Sequence, residues 1–283
     1  MNVEKLALGV FLPCLAQRDI PTALSLAKDM GFSVIQLGAD AFFNYGGDKE
    51  KEDFLRKQLE ESGLEVIAVF AGFPGERYDD IPTVRETVGF ANKEKIPERI
   101  DIAKKTADFT ARLGIPAMAA HVGFIPPDTS DPLYDVMLKA VGEVVAHCEK
   151  LGLYFAFETG QETPEELKEF IERLGYPNCR VNFDTANLIL YGKSFSVHGI
   201  EVLKDYIIST HMKDGVWPEK EGQLGHEVIL GEGQANIEEC VKKLIEVGYE
   251  GPLIIEREAG TDRVGDIKRE KEYLESLKRK YLG

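Results

Sequence analysis

The 283-residue chain lacks the features that mark several large classes of protein. It holds four cysteines, Cys14, Cys148, Cys179 and Cys240, and no two of them form a CxxC pair. That scatter argues against a disulfide framework or a thiolate zinc site and suits reduced thiols in apolar segments. No run approaches 18 apolar residues, and the opening MNVEKLALGVFLPC meets polar residues too early to read as a signal peptide. A soluble cytoplasmic protein without membrane contact is expected. Basic residues are scarce, 34 Lys and Arg against 49 Asp and Glu, leaving a formal charge of -15. Such a surface repels polyanions, so nucleic acid is not an expected partner. Neither GxGxxG nor GxxxxGK[ST] follows any apolar run, which removes the usual dinucleotide and P-loop signatures.

What is present is alternation. Short apolar runs at 5–11, 33–38, 64–70, 116–122, 153–158, 179–184, 206–211 and 252–257 read as strands. Amphipathic stretches near 21–30, 50–62, 97–113, 131–151, 164–174, 199–205, 236–247 and 263–280 read as helices. Eight strands each followed by a helix is the count of a (β/α)8 TIM barrel, and nothing resembles a linker, so residues 1–283 read as one domain. An open doubly wound sheet is the alternative. It is disfavoured because the chemistry-bearing residues follow four different strands instead of gathering at one switch point.

The punctuation agrees. Gly31, Gly63, Gly114, Gly152, Gly175 and Gly248 each stand where a helix should stop before the next strand. Thr163, Pro164 and Glu166 read as an N-cap, an N1 proline and an acidic first turn. Long excursions at 71–96, 123–130 and 212–235 follow the third, fourth and seventh strands, on the rim where barrels build pockets.

Four polar residues end apolar runs: Glu158 in LYFAFE, Asp184 in CRVNFD, His211 in YIISTH and Glu256 in GPLIIE. On parallel barrel strands they arrive at the same rim. Buried charges there are costly unless paired or bound to a metal, and a single divalent ion accounts for all four. An ion-pair network without metal is the plainer alternative. Three carboxylates and one imidazole favour Mn²⁺, with Mg²⁺, Co²⁺ or Zn²⁺ as other occupants, over a structural zinc. Such an ion can hold vicinal sugar oxygens and stabilise an enediolate while two carboxylates move a proton. Glu158 and Glu256, on well-separated strands, are the expected acid/base pair. Asp184 and His211 are expected mainly to position the ion.

Around this set stand candidate substrate or supporting residues. His121 ends PAMAAH, Asn187 follows Asp184 by three, and Lys213 and Asp214 follow His211. His226 and the lone tryptophan, Trp217, sit in the loop after the seventh strand, long enough to fold over the pocket. Each has a blander reading as a turn or packing residue.

The motifs ET at 158–159, NFDTAN at 182–187, HMKD at 211–214, VILGEG at 228–233 and IER at 255–257 resemble the xylose isomerase-like TIM-barrel superfamily. The resemblance is greatest to its sugar epimerase and isomerase branch, which includes the D-tagatose 3-epimerase and hydroxypyruvate isomerase families. It implies a metal held by Glu158, Asp184, His211 and Glu256, with the two glutamates exchanging a proton beside a ketose carbonyl. The 3-epimerases generally carry histidine where this chain has Asn187, and arginine near the position of Trp217. Members resembling endonuclease IV carry further metal ligands where this chain has Asn187 and Leu224. The expected function is therefore a metal-dependent ketose epimerase or isomerase. A keto-polyol (inosose-type) dehydratase is the alternative, ahead of a phosphodiesterase or a non-catalytic sugar-binding protein. The expected partner is a small sugar or keto-polyol, and a homo-oligomer is compatible with the fold.

Overall fold

The eight apolar runs form strands that pair edge to edge in parallel. The computed structural model describes residues 4–220 and 222–283. Its barrel strands are β1 (Leu8–Phe11), β2 (Val34–Leu37), β3 (Glu65–Ala71), β4 (Ala117–Ala120), β5 (Tyr154–Glu158), β6 (Cys179–Asp184), β7 (Ile207–Met212) and β10 (Leu253–Ile255). They close in the order β1-β10-β7-β6-β5-β4-β3-β2. The eight expected strands are all present, and the fold is a single-domain (β/α)8 barrel.

The helices around it are α1 (Ile20–Asp29), α2 (Ala39–Tyr45), α3 (Lys49–Ser62), α4 (Ile81–Thr87), α5 (Ile96–Arg112), α6 (Pro132–Lys150), α7 (Pro164–Leu174), α8 (Asn187–Leu190), α9 (Ser196–Leu203), α10 (Ile237–Glu246) and α11 (Arg263–Leu282). The helix α7 shows how sequence sets both ends and the buried face. Thr163 accepts from Glu166 N while Glu166 accepts from Thr163 N at 2.7 Å, a reciprocal cap. Leu167, Phe170 and Ile171, at i, i+3 and i+4, are buried against the barrel. Phe170 meets Phe157 of β5 and Tyr134 of α6 with ring centroids 6.4 and 5.6 Å apart. All six helix-ending glycines have φ between 69° and 80°, the left-handed stop that the sequence implied.

The rim carries more structure than expected. The stretch 71–96 holds α4, started by Asp80, whose side chain accepts from Thr83 N at 2.7 Å. The 212–235 segment contains an antiparallel hairpin, β8 (Asp214–Val216) with β9 (His226–Val228). The helices α2, α4 and α8 have four to seven residues, too few for periodicity to reveal. The four cysteines are buried and free. No helix among the described residues is long and apolar enough to cross a membrane.

The barrel tolerates little added volume where β1 passes its neighbours. A Cβ on Gly9 would come within 2.6 Å of Val34 O and 2.4 Å of Ile254 Cδ1. Gly9→Ala is therefore expected to destabilise the fold by about 1–3 kcal/mol. Urea denaturation checks this, and an unchanged midpoint would show that β1 can shift freely.

Candidate metal centre

The ligand-bearing strands β5, β6, β7 and β10 are consecutive around the barrel, so their carboxyl ends form one continuous arc. Glu158 and Asp184 end β5 and β6, His211 lies one residue before the end of β7, and Glu256 follows β10. One ligand atom from each lies within 4.8 Å of the others. His211 Nδ1 is 3.0 Å from Glu158 Oε1 and 3.2 Å from Glu256 Oε2. Asp184 Oδ1 accepts from Ala186 N at 2.6 Å and Asn187 N at 2.8 Å. Its Oδ2 is fully buried and has no hydrogen-bond partner. A buried carboxylate oxygen without a donor is costly, and here it points into a cluster of other ligand atoms. Three carboxylates and an imidazole are a fitting donor set for a divalent cation.

Lys213 supplies a positive charge from the side. Its Nζ is 2.5 Å from Glu256 Oε2, 2.9 Å from Glu258 Oε2 and 3.5 Å from Asp184 Oδ2. Burial works to raise Glu256, but His211 and Lys213 outweigh it and hold the carboxyl well below its ordinary range. Burial pushes Asp184 well above its range, with Glu256 and Glu158 adding to the push and Lys213 opposing it. Burial works to lower His211, yet Glu256 and Glu158 keep its imidazolium form well above the ordinary value.

A polar chain missed in the sequence fixes this imidazole. Glu158 Oε2 accepts from Asn182 Nδ2, so Asn182 turns its Oδ1 to Gln36 Nε2 at 2.9 Å. That leaves Gln36 Oε1 facing His211 Nε2 at 2.7 Å, where the ring must donate. Ser209 Oγ also donates to Asn182 Oδ1. The signal was present, since Gln36, Asn182 and Ser209 are polar residues inside apolar strands.

Above the cluster lies a cavity of about 640 Å³. Glu256 reaches it, together with Lys213, His121 and Asn187, whereas Glu158, Asp184 and His211 lie below its lining. The side chain of Asn187 donates to Thr159 O at 3.1 Å. Phe11, Phe70, Tyr78, Leu190 and Tyr191 give the wall apolar faces, and Asp40, Glu76, Glu227 and Glu258 give it acidic ones.

Three expected residues fall elsewhere. In the β8/β9 register His226 pairs with Val216 and faces solvent, while its neighbour Glu227 lines the cavity. Alternation along a strand decides which of the two turns inward, and that register depends on the partner strand. Trp217 directly follows β8, in the loop that joins the hairpin strands, and packs on Phe195, centroids 5.3 Å apart, outside the lining. The carboxylate of Asp214 accepts from Gly215, Gly231, Gly233 and Ala235 N, so it builds the LGEG turn. A Cβ on Gly233 would lie 2.2 Å from Asp214 Oδ1, which explains the glycine.

Residues 24–279 match the family model described as xylose isomerase-like TIM barrel. A xylose isomerase domain protein from Planctomyces limnophilus superposes with a TM-score of 0.89 at 33% identity, over 98% of each chain. A D-psicose 3-epimerase from Clostridium cellulolyticum H10, solved with D-tagatose, gives a TM-score of 0.72 at 15% identity, covering 98% of this chain and 99% of that one. At that identity the likeness is one of fold. The uncharacterized protein MJ1311 of Methanocaldococcus jannaschii is 26% identical over 174 residues, so the match spans 58% of each chain.

Both His211 nitrogens face acceptors and therefore carry protons, and a cation can take Nδ1 only by displacing one. Loading with Mn²⁺ at pH 7 is expected to release about one to two protons per ion, the second from Asp184. Calorimetry in buffers of different ionisation enthalpy measures this, and no release would exclude His211 as a ligand.

Glu162, in the loop after β5, is buried with neither carboxylate oxygen partnered. Burial, with repulsion from Glu166 and Glu158 and against the pull of Lys193, raises it from 4.5 to about 8. The folded state thus holds this proton more tightly than the unfolded chain. Its stabilising contribution is complete below pH 4.5 and is lost as pH rises toward 8. Glu162→Gln is expected to be more stable than the parent by roughly 1–3 kcal/mol at pH 9 and similar at pH 4. Denaturant midpoints at the two pH values test this, and an unchanged difference between them would refute it.

Proposed function

The chain belongs to the xylose isomerase-like TIM-barrel family, and we propose that it is a divalent-metal-dependent sugar epimerase or isomerase acting beside a ketose carbonyl. The observation that carries this reading is the cluster of Glu158, Asp184, His211 and Glu256 at the base of a 640 Å³ cavity. When bound, a divalent ion, Mn²⁺ by preference, supplies positive charge where a carbonyl gains negative charge on deprotonation.

The residues around it handle the proton. Glu256 has direct access to the cavity, and His211 and Lys213 hold it as the carboxylate, the form that accepts a proton from substrate carbon. Lys213, against Glu256 and Asp184, fixes that carboxylate and adds charge beside the oxygen that becomes anionic. Glu158, at the far end of the ligand arc and below the cavity lining, is the partner that returns a proton to a substrate seated down on the cluster. His121, next to Phe70 and Tyr78 on the cavity wall, orients a hydroxyl, and Asn187 offers its amide on the same wall. Aromatic faces suit sugar C–H groups.

The wall also speaks to substrate charge. Lys213 is the one Lys or Arg among the described lining residues, and its ammonium is committed to carboxylates. An uncharged sugar fits this lining better than a phosphorylated one.

Proton NMR of the Mn²⁺-loaded protein with a panel of ketoses and keto-inositols in D₂O tests the reading. Deuterium should enter the carbon beside the carbonyl as an isomer appears. Glu256→Gln should lower the rate by at least about 10²-fold. Loss of water would indicate a dehydratase instead, and metal and sugar binding without exchange would remove the isomerase reading.

A further inference from the structure

The cavity above the ligand cluster is larger than a monosaccharide requires. Even at the roughly 30 Å³ of one liquid water, the twelve carbon and oxygen atoms of a hexose take at most about 360 Å³. The cavity measures about 640 Å³, and a second one of about 310 Å³ opens beside it. The two share Pro13, Gly38 and Asp40 in their linings, so they lie side by side.

Their chemistry differs. The main cavity has the Phe11, Phe70 and Tyr78 faces, with Glu256 of the carboxylate–imidazole cluster in its lining. The lateral one is lined away from the junction by Gln17, Arg18, Asp19, Asn44 and Tyr45. Arg18 Nε donates to Asp19 Oδ2 at 3.1 Å, so the pair presents donors and acceptors with no net charge. Mixed amide, guanidinium, carboxylate and phenol groups around a polar recess suit several hydroxyls at once.

We propose that the lateral cavity is a subsite for a second hydroxylated ring, and that the preferred substrate is a ketose bearing a glycosidic substituent. The reacting ring lies over Glu256 and the metal ligands, and the second ring passes Asp40 to reach Arg18 and Asn44. This deepens the sugar-isomerase reading and rests on it for the identity of the reacting ring.

The test compares fructose with a glucose–fructose disaccharide that keeps its ketose end free, such as isomaltulose. The Mn²⁺-loaded full chain is used, with calorimetric affinity and D₂O exchange both measured. The disaccharide is expected to bind at least about tenfold more tightly. Asn44→Trp, which fills the lateral recess from an exposed helical position, and Arg18→Ala should each bring the disaccharide-to-fructose ratio toward one. An equal ratio in the parent, a ratio indifferent to both substitutions, or no disaccharide binding would overturn the subsite. Preferential binding lost in Asn44→Trp, with no exchange on either sugar, would keep the subsite and reject the isomerase reading.

Discussion

Three carboxylates buried within 4.8 Å of one another set the conditions that the rest of this barrel meets. At that separation each like-charged pair repels by about 3–4 kcal/mol, even at an effective dielectric of 20. Lys213 and the imidazolium of His211 answer two of the charges, and burial biases Asp184 toward its neutral, protonated form. A divalent cation gives the same neutral balance when His211 and Asp184 release their protons. At such a site protons and a divalent cation would compete for one arrangement of side chains.

The fold makes that arrangement rigid. Consecutive strands deliver the ligands, and backbone amides at the start of α8 hold Asp184 through one oxygen while leaving the other free. Asp214 ties the LGEG turn to β8, which steadies the wall carrying Glu227. Arg257 meets Glu227 at 2.6 Å and Asp266 at 3.0 Å, linking that wall to α11 behind it. Glu227 thus belongs to the support of the pocket as much as to its lining.

The clustering of Glu158, Asp184, His211 and Glu256 was legible because each is a charged or imidazole group ending an apolar run, and parallel strands force such ends to one rim. The barrel was legible for the same reason, with periods of two and 3.6 alternating eight times. Other features depended on partners distant in sequence. Gln36 and Asn182 stand out as polar residues inside apolar strands, but their pairing becomes visible only when β2 and β6 face each other across the barrel. His226 and Glu227 differ only in which side of a three-residue strand they occupy, and Val216 decides that. The short helices α2, α4 and α8 span seven residues or fewer and leave no period long enough to detect.

The strands β2 and β6 stand diametrically opposite in the closed order, so the Gln36–Asn182 hydrogen bond runs through the middle of the barrel. Its two ends belong to the first and second halves of the chain, and each half alone would leave a buried amide without its partner. Symmetry invites a view of eight-fold barrels as two fused half-barrels able to recombine. In this chain a graft at the midpoint would have to carry a matched glutamine and asparagine across the seam, which makes the whole barrel the smallest exchangeable module.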